Sequence, residues 1–354
     1  MSELITTETG LSELLESLRK RSDFDAGFDL EADNLHRYAE QLCLIQVSDG
    51  EDSHLVDPLE ISDLSALGEY FAESTIWLHG ADFDMRLMMG EFGRLPKMVL
   101  DTQIAARLLG IARFSYANLV EQFFEVKLSK SSQKENWGQR PLPQKMCEYA
   151  RNDVRYLLPM AEKLVAELRE KNRYQWFVES CEAAMNKVRE RDAEKQDPWR
   201  IQGSGKLSRR GLGYLRALWR WRDAEAKEWD RPPFMVAKNK QLIEWAIGLA
   251  ASNQPEWPKS MRSDRKARLH AILKKASEEP EDDWPERLRG NGRRWEAPQE
   301  EKYRDFAEKR DKVAEGLGLE PSLLAPRAVI EQLVWEEKEP KELLLNWQRE
   351  LLEL

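Results

Sequence analysis

The sequence predicts an α/β domain built on a mixed sheet, followed by an all-helical region. Three observations carry this reading. Short apolar runs alternate with helical patterns over residues 1–160. Beyond Asp197-Pro198 the strand patterns stop and helical ones take over. Charge is also uneven along the chain: residues 1–160 hold 27 acids and 16 bases, the remainder 37 acids and 39 bases, within a net charge of −9 over 354 residues.

In chain order, the runs Ala26–Leu30, Leu42–Val47 and His54–Val56 read as strands close enough for an antiparallel meander. The strands Thr75–His79 and Met98–Leu100 alternate with helical patterns at Leu64–Ala72, Phe83–Met89 and Thr102–Leu109, so crossovers onto the same sheet are expected. A long helix is expected from Pro143 through Leu168, bent or broken at Pro159. The helical region contains a repeat at an offset of 88 residues. Arg222-Asp223-x-x-Ala226 returns as Arg310-Asp311-x-x-Ala314, Pro233 as Pro321, and Val236 and Leu242 as Leu324 and Ile330. The expected division is 1–198, 199–285 and 286–354, the last two being copies of one helical module.

Composition excludes several classes. With 41% hydrophobic and 34% charged residues the chain is globular, and no apolar run approaches the roughly 18 residues of a membrane span. The polar, acidic start does not read as a signal peptide. Cys43, Cys147 and Cys181 are odd in number and widely spaced, which suits a reducing cytoplasm and core packing rather than disulfides or zinc. Trp219, Trp221, Trp229 and Trp245 are expected to fill small helical cores, and the four histidines show no metal-ligand spacing. A helicase is excluded for this chain, because no Gly-x-x-x-x-Gly-Lys-[Ser/Thr] loop occurs.

Three acidic pieces remain. Phe28-Asp29-Leu30-Glu31 puts Asp29 and Glu31 on one face of a strand, with Phe28 and Leu30 on the other. Two adjacent carboxylates repel, so a buried face tolerates them only with a cation such as Mg²⁺ or Mn²⁺. Asp84 follows a strand and the turn His79-Gly80-Ala81, in the first turn of a helix, where an acid is also favoured by the helix dipole alone. Tyr149 and Asp153 stand four apart and share a helix face, so phenol and carboxylate can serve one site. Each piece alone also fits an ordinary exposed acid.

In this order and on these elements the pieces resemble the tyrosine-bearing branch of the DEDD exonuclease superfamily, and within it the ribonuclease D family. The likeness runs on through Leu42–Gln46, Asp101–Ala106, Trp137-x-x-Arg140-Pro141-Leu142 and Asp153–Pro159, and the duplicated modules look like the helicase-and-RNase-D C-terminal (HRDC) domains of that family. Leu30 departs from the threonine usual between the two acids, and Asp33 and Asp82 are additional acids beside the motifs. The resemblance implies a ribonuclease H-like exonuclease domain followed by two HRDC-like domains. It further implies two divalent ions (Mg²⁺ or Mn²⁺) held by Asp29, Glu31, Asp84 and Asp153, with Tyr149 positioning the attacking water. The reaction implied is 3′→5′ release of nucleoside 5′-monophosphates from RNA with a free 3′ end, transfer-RNA precursors being the usual substrates.

Nucleic-acid contacts are expected downstream. The loop Lys127–Arg140 interleaves bases with an aromatic ring, which suits a single-stranded end, and its candidates are Lys130, Gln133, Trp137 and Arg140. The alternative is a surface loop with Trp137 tucked against the sheet. Arg200–Arg222 carries seven bases and no acid, and Lys259–Lys275 seven bases and one acid, so Arg209 and Arg210 join the candidates despite the acidic total. Two competing functions stay open at this level: a DNA 3′→5′ exonuclease, and a nucleic-acid-binding module with a vestigial nuclease site. A monomer is expected.

Overall fold

The structure, a computed structural model, describes residues 4–20, 26–129, 132, 135–191, 197–259, 261–288 and 297–354. It forms two compact units. One comprises Met1–Ala32, Leu42–Asp192 and Trp295–Leu354, the other Asp33–Gln41 and Ala193–Arg294.

In the first unit α1 (Glu8–Arg19), capped by the Thr7 hydroxyl on Gly10 N, precedes the strands β1 (Gly27–Asp33), β2 (Gln41–Ser48) and β3 (Ser53–Val56). Then come α2 (Ser65–Glu73), β4 (Thr75–Leu78), α3 (Asp82–Phe92), β5 (Met98–Asp101), α4 (Thr102–Leu108) and α5 (Tyr116–Phe124). The sheet order is β3-β2-β1-β4-β5, with β2 and β3 antiparallel and β1, β4 and β5 parallel. This is the expected mixed sheet, with α1 and α5 added to the elements anticipated.

The period-2 pattern of β1 decides its sides. Phe28 and Leu30 enter a core with Tyr70 and Phe71 of α2, Met85 and Met88 of α3, and Leu11 and Leu15 of α1; the Phe28 ring meets Phe71 edge-on at 5.3 Å. Asp29 and Glu31 are left to the other side. There α6 (Gln144–Arg155) packs Met146 and Ala150 against Leu44 of β2 and Leu55 of β3. α7 (Leu157–Glu170) and α8 (Tyr174–Arg191) complete this part. The expected long helix is thus broken at Tyr156, three residues before Pro159. Proline disturbs the carbonyl four residues upstream, which here is that of Arg155.

The repeat is visible in the structure. α9 (Arg209–Trp229), α10 (Pro233–Val236) and α11 (Asn239–Ala250) are followed by α12 (Ser263–Glu278). α13 (Ala297–Leu317), α14 (Pro321–Leu324) and α15 (Arg327–Trp335) then follow, the last two starting 88 residues after α10 and α11 respectively. One tertiary bond recurs at that offset: Arg222 Nη1 donates to the Ala237 carbonyl at 3.3 Å, and Arg310 Nη1 to that of Ala325 at 3.0 Å. The copies then diverge. In place of a third helix of 16 residues, the second has α16 (Pro340–Leu343) and α17 (Asn346–Leu352).

The first copy closes a core of its own around Leu215, Leu218, Trp221, Leu242, Trp245 and Leu269. Trp229 departs from the expectation of a core ring. It is 48% exposed near the end of α9 and covered by the Arg265 guanidinium at 4.9 Å. Within the same unit the segment 33–41 is held by the Tyr38 hydroxyl on Asp223 and by Arg231 on the His36 carbonyl. The second copy belongs to the sheet unit. Its Ala314, Leu324, Ile330 and Trp347 share one core with Trp77, Leu164 and Phe177. Arg173 ties the two parts through the carbonyls of Leu108 and Leu317, and Trp347 stacks on Trp176 at 5.1 Å. Among the described residues no helix is long and apolar enough to cross a membrane.

Candidate active site

Asp29 and Glu31 leave β1 on the side covered by α6, and Asp153 comes down from the last turn of α6 to meet them. One carboxylate oxygen from each lies within 4.8 Å of those of the other two. Asp84, in the first turn of α3, is 6% exposed and turns its Oδ1 onto the backbone N–H of Leu30 at 3.0 Å, between the two acids of β1. Tyr149, one helical turn before Asp153, shares that residue's helix face, and its hydroxyl bears on the Asp153 carboxylate. The five residues singled out in the sequence therefore converge on one place.

A cluster of this kind is electrostatically costly without a cation. Burial, and then the charges of Asp84, Asp153 and Glu31, hold Asp29 well above the usual carboxylate range. Burial followed by Asp153 and Asp84 pushes Glu31 to about 9. Burial raises Asp84 to about 7 against the opposing pull of the Leu30 N–H, and Asp153 to about 7 against the Tyr149 hydroxyl. The Tyr149 phenol is itself raised, by burial and by the acids around it, and stays protonated at neutral pH. Hard oxygen donors so poised for charge fit a divalent metal.

The supports were less legible in the sequence. Asp101 at the end of β5 accepts from Gly80 N at 2.8 Å and Gln103 N at 2.7 Å through Oδ1, and from Ala81 N at 2.9 Å through Oδ2. One carboxylate thus caps α4 and holds the turn that delivers Asp84. Gly80 sits at φ +71°, and a Cβ there would lie 3.1 Å from the Gln103 amide nitrogen. The residues Asp101-Thr102-Gln103 stood out in the sequence without a role; the structure supplies one. Asp33 and Asp82 stay outside the cluster, Asp33 bonded to the Leu35 and His36 backbone and Asp82 paired with Arg86.

Two of the expected nucleic-acid contacts serve the fold instead. Trp137 is 2% exposed, packed between Leu44, Leu55 and Met146 with its ring 6.1 Å from that of Tyr149, so it backs the site and offers no open stacking face. Arg140 spends its guanidinium on both oxygens of the buried Asp57, at 2.5 Å each, and on the carbonyls of Cys43, Trp137 and Gln139. Lys130 and Gln133 lie outside the described residues. Arg209 reaches the carbonyls of Glu281 and Trp284 and the Glu286 carboxylate, while Arg210 lies over the Tyr214 ring at 5.9 Å.

Comparison with known proteins places the chain in a family. Residues 2–169 match a family model described as 3′-5′ exonuclease, and residues 212–254 one described as HRDC domain. The chain is 31% identical to ribonuclease D of Escherichia coli over 368 residues, covering 99% of this chain and 96% of that protein. It is 30% identical to ribonuclease D of Haemophilus influenzae, covering 98% and 90%. The crystal structure of the Escherichia coli enzyme, described as an exoribonuclease involved in structured RNA processing, superposes with a TM-score of 0.75 at 29% identity over 99% of this chain and 96% of that one. The ribonuclease H-like sheet, its buried acids and the HRDC-type helices after it all belong together: the chain is a member of the ribonuclease D family of 3′→5′ exoribonucleases.

Proposed function

We propose that the cluster Asp29, Glu31, Asp84 and Asp153 holds two divalent ions, Mg²⁺ or Mn²⁺, and trims the 3′ ends of structured RNAs, transfer-RNA precursors among them. The observation that carries this is the convergence of Asp29, Glu31 and Asp153, with the Tyr149 hydroxyl bearing on the last. Metal bound there supplies an acidified water and neutralises charge on the leaving 3′ oxygen. Asp29, on which the charges of the other three acids bear, would be a central holder of the metal. Asp84, held by the Leu30 N–H, would offer its carboxylate to a cation as the fourth acid of the cluster. Tyr149 remains a neutral donor at working pH, able to hold the attacking water or a phosphate oxygen beside Asp153. Lys130, Gln133 and Arg210 remain proposed RNA contacts, each taken separately. Three cysteines outside any disulfide suit the cytoplasm, and a monomer is sufficient to build the site.

The decisive experiment is Asp29→Asn, assayed on end-labelled RNA and DNA oligomers with Mg²⁺, Mn²⁺ or chelator. The wild-type protein should release nucleoside 5′-monophosphates from RNA in the presence of metal. The variant should lose hydrolysis and keep RNA binding; retained activity would sink the site. Faster cleavage of DNA would redirect the substrate reading.

A further inference from the structure

α6 and α7 follow one another with Tyr156 alone between them. In an unbroken helix the N–H of Tyr156 bonds to the carbonyl of Asn152, four residues back. Here a side chain occupies that step. The Tyr116 hydroxyl donates to Asn152 O at 3.2 Å and accepts from Tyr156 N at 3.2 Å. Insertion of a side chain into the helical ladder is a recognised cause of a sharp kink. Asp153 is the first residue inside the turn so opened, and Tyr149 lies one turn above it.

Tyr116 is itself well supported. It is the first residue of α5, and its ring meets that of His79 edge-on at 5.5 Å between centroids. Thr102 Oγ1 links Leu78 O at 3.1 Å and His79 Nδ1 at 2.9 Å, which holds the His79 ring in place. The next two residues, Gly80 and Ala81, are those held by Asp101 ahead of Asp84. The ring that opens the turn at Asp153 therefore leans on the segment that delivers Asp84.

We propose that Tyr116 is a positioning residue for the exonuclease reaction: its hydroxyl sets the angle between α6 and α7 and so aims Asp153 and Tyr149 at Asp29 and Glu31. α7 is the fixed member, because Leu157, Leu158, Met160, Ala161 and Leu164 are buried in the core. α6 is anchored where Met146 and Ala150 pack on Leu44 and Leu55, and its last turn, which carries Asp153, is the part that is aimed. Pro159 acts one step further on, leaving the Arg155 carbonyl without a helical N–H partner, and does not open the Asn152–Tyr156 step. The inference rests on Asp153 being a metal ligand, as proposed above.

Tyr116→Phe keeps the ring and deletes only the inserted hydroxyl. Displacement of a reacting group by about 1 Å can cost on the order of 100-fold in rate, so kcat should fall at least about tenfold. Mn²⁺ binding, read by electron paramagnetic resonance without RNA, should weaken in parallel, and KM for RNA should hold. A purely structural hydroxyl would lower Tm alone; wild-type kcat and Mn²⁺ binding in a folded Tyr116→Phe protein overturn the inference. Should that variant not fold, Pro159→Ala decides. If Tyr116 holds the break, Pro159→Ala keeps kcat and Mn²⁺ binding within about twofold of wild type; a loss of tenfold or more assigns the break to the proline and overturns the inference. Asp153→Asn run alongside separates the two readings. Its inactivity with an unaffected Tyr116→Phe rejects Tyr116 only, whereas its full activity rejects the site.

Discussion

Four acids that prefer to be neutral give the molecule a definite response to pH. Asp29 is held well above its ordinary value, Glu31 at about 9, and Asp84 and Asp153 at about 7. Between their unfolded values near 4 and these raised ones, the folded metal-free protein binds more protons than the unfolded chain. Its stability therefore falls as pH rises through that window. Cation binding reverses the preference and expels protons. In chelator, Tm should decline from pH 5 to pH 9 more steeply for the wild type than for Glu31→Gln. Titration calorimetry in two buffers should show proton release on Mn²⁺ binding, and equal slopes with no release would contradict the assignment. At this scale the sequence was informative where geometry is local. A spacing of two on a strand placed Asp29 with Glu31, and a spacing of four on a helix placed Tyr149 with Asp153. The Asp84 bond to Leu30 spans 54 residues and the Tyr116 bond to Tyr156 spans 40, beyond any periodicity.

Elements carry the second lesson, in the stretch 127–140. A basic, aromatic loop reads equally as an RNA grip or as an internal clamp, because arginine and tryptophan serve both with the same chemistry. Burial separates the two, and burial depends on Asp57, 83 residues away, which the Arg140 fork closes upon. Removing one partner of a buried ion pair costs about 3–5 kcal/mol. Arg140→Ala should lower unfolding stability by about that amount in urea titrations, and Arg140→Lys should recover little, since an ammonium cannot form the two-pronged contact. A loss below about 1 kcal/mol would return Arg140 to the surface role. The same limit explains the helix break. Proline marked its neighbourhood, but the tyrosine inserted at the break comes from another element.

For the whole molecule, the division into a mixed sheet and a helical region was legible, as was the 88-residue repeat, because both are patterns of the chain alone. The repeat could not say which core each copy would join. Trp347 is 3% exposed, stacked on Trp176 and bonded through Nε1 to Ser180 at 3.3 Å, so it acts as a core residue of the sheet unit. Trp347→Ala should cost about 3–5 kcal/mol and lower the unfolding midpoint of the sheet unit itself, followed by denaturation of the full chain; a midpoint shift confined to a separate helical transition would contradict the shared core.

The matching Arg222–Ala237 and Arg310–Ala325 bonds also bear on how such a chain can be rearranged by evolution or by hand. Two copies that keep the same internal bolt have taken opposite routes to burying their apolar faces. The first has three long helices closed on each other around a core of its own. The second has given up its third long helix and borrowed a wall from the nuclease, so it can travel only with its host.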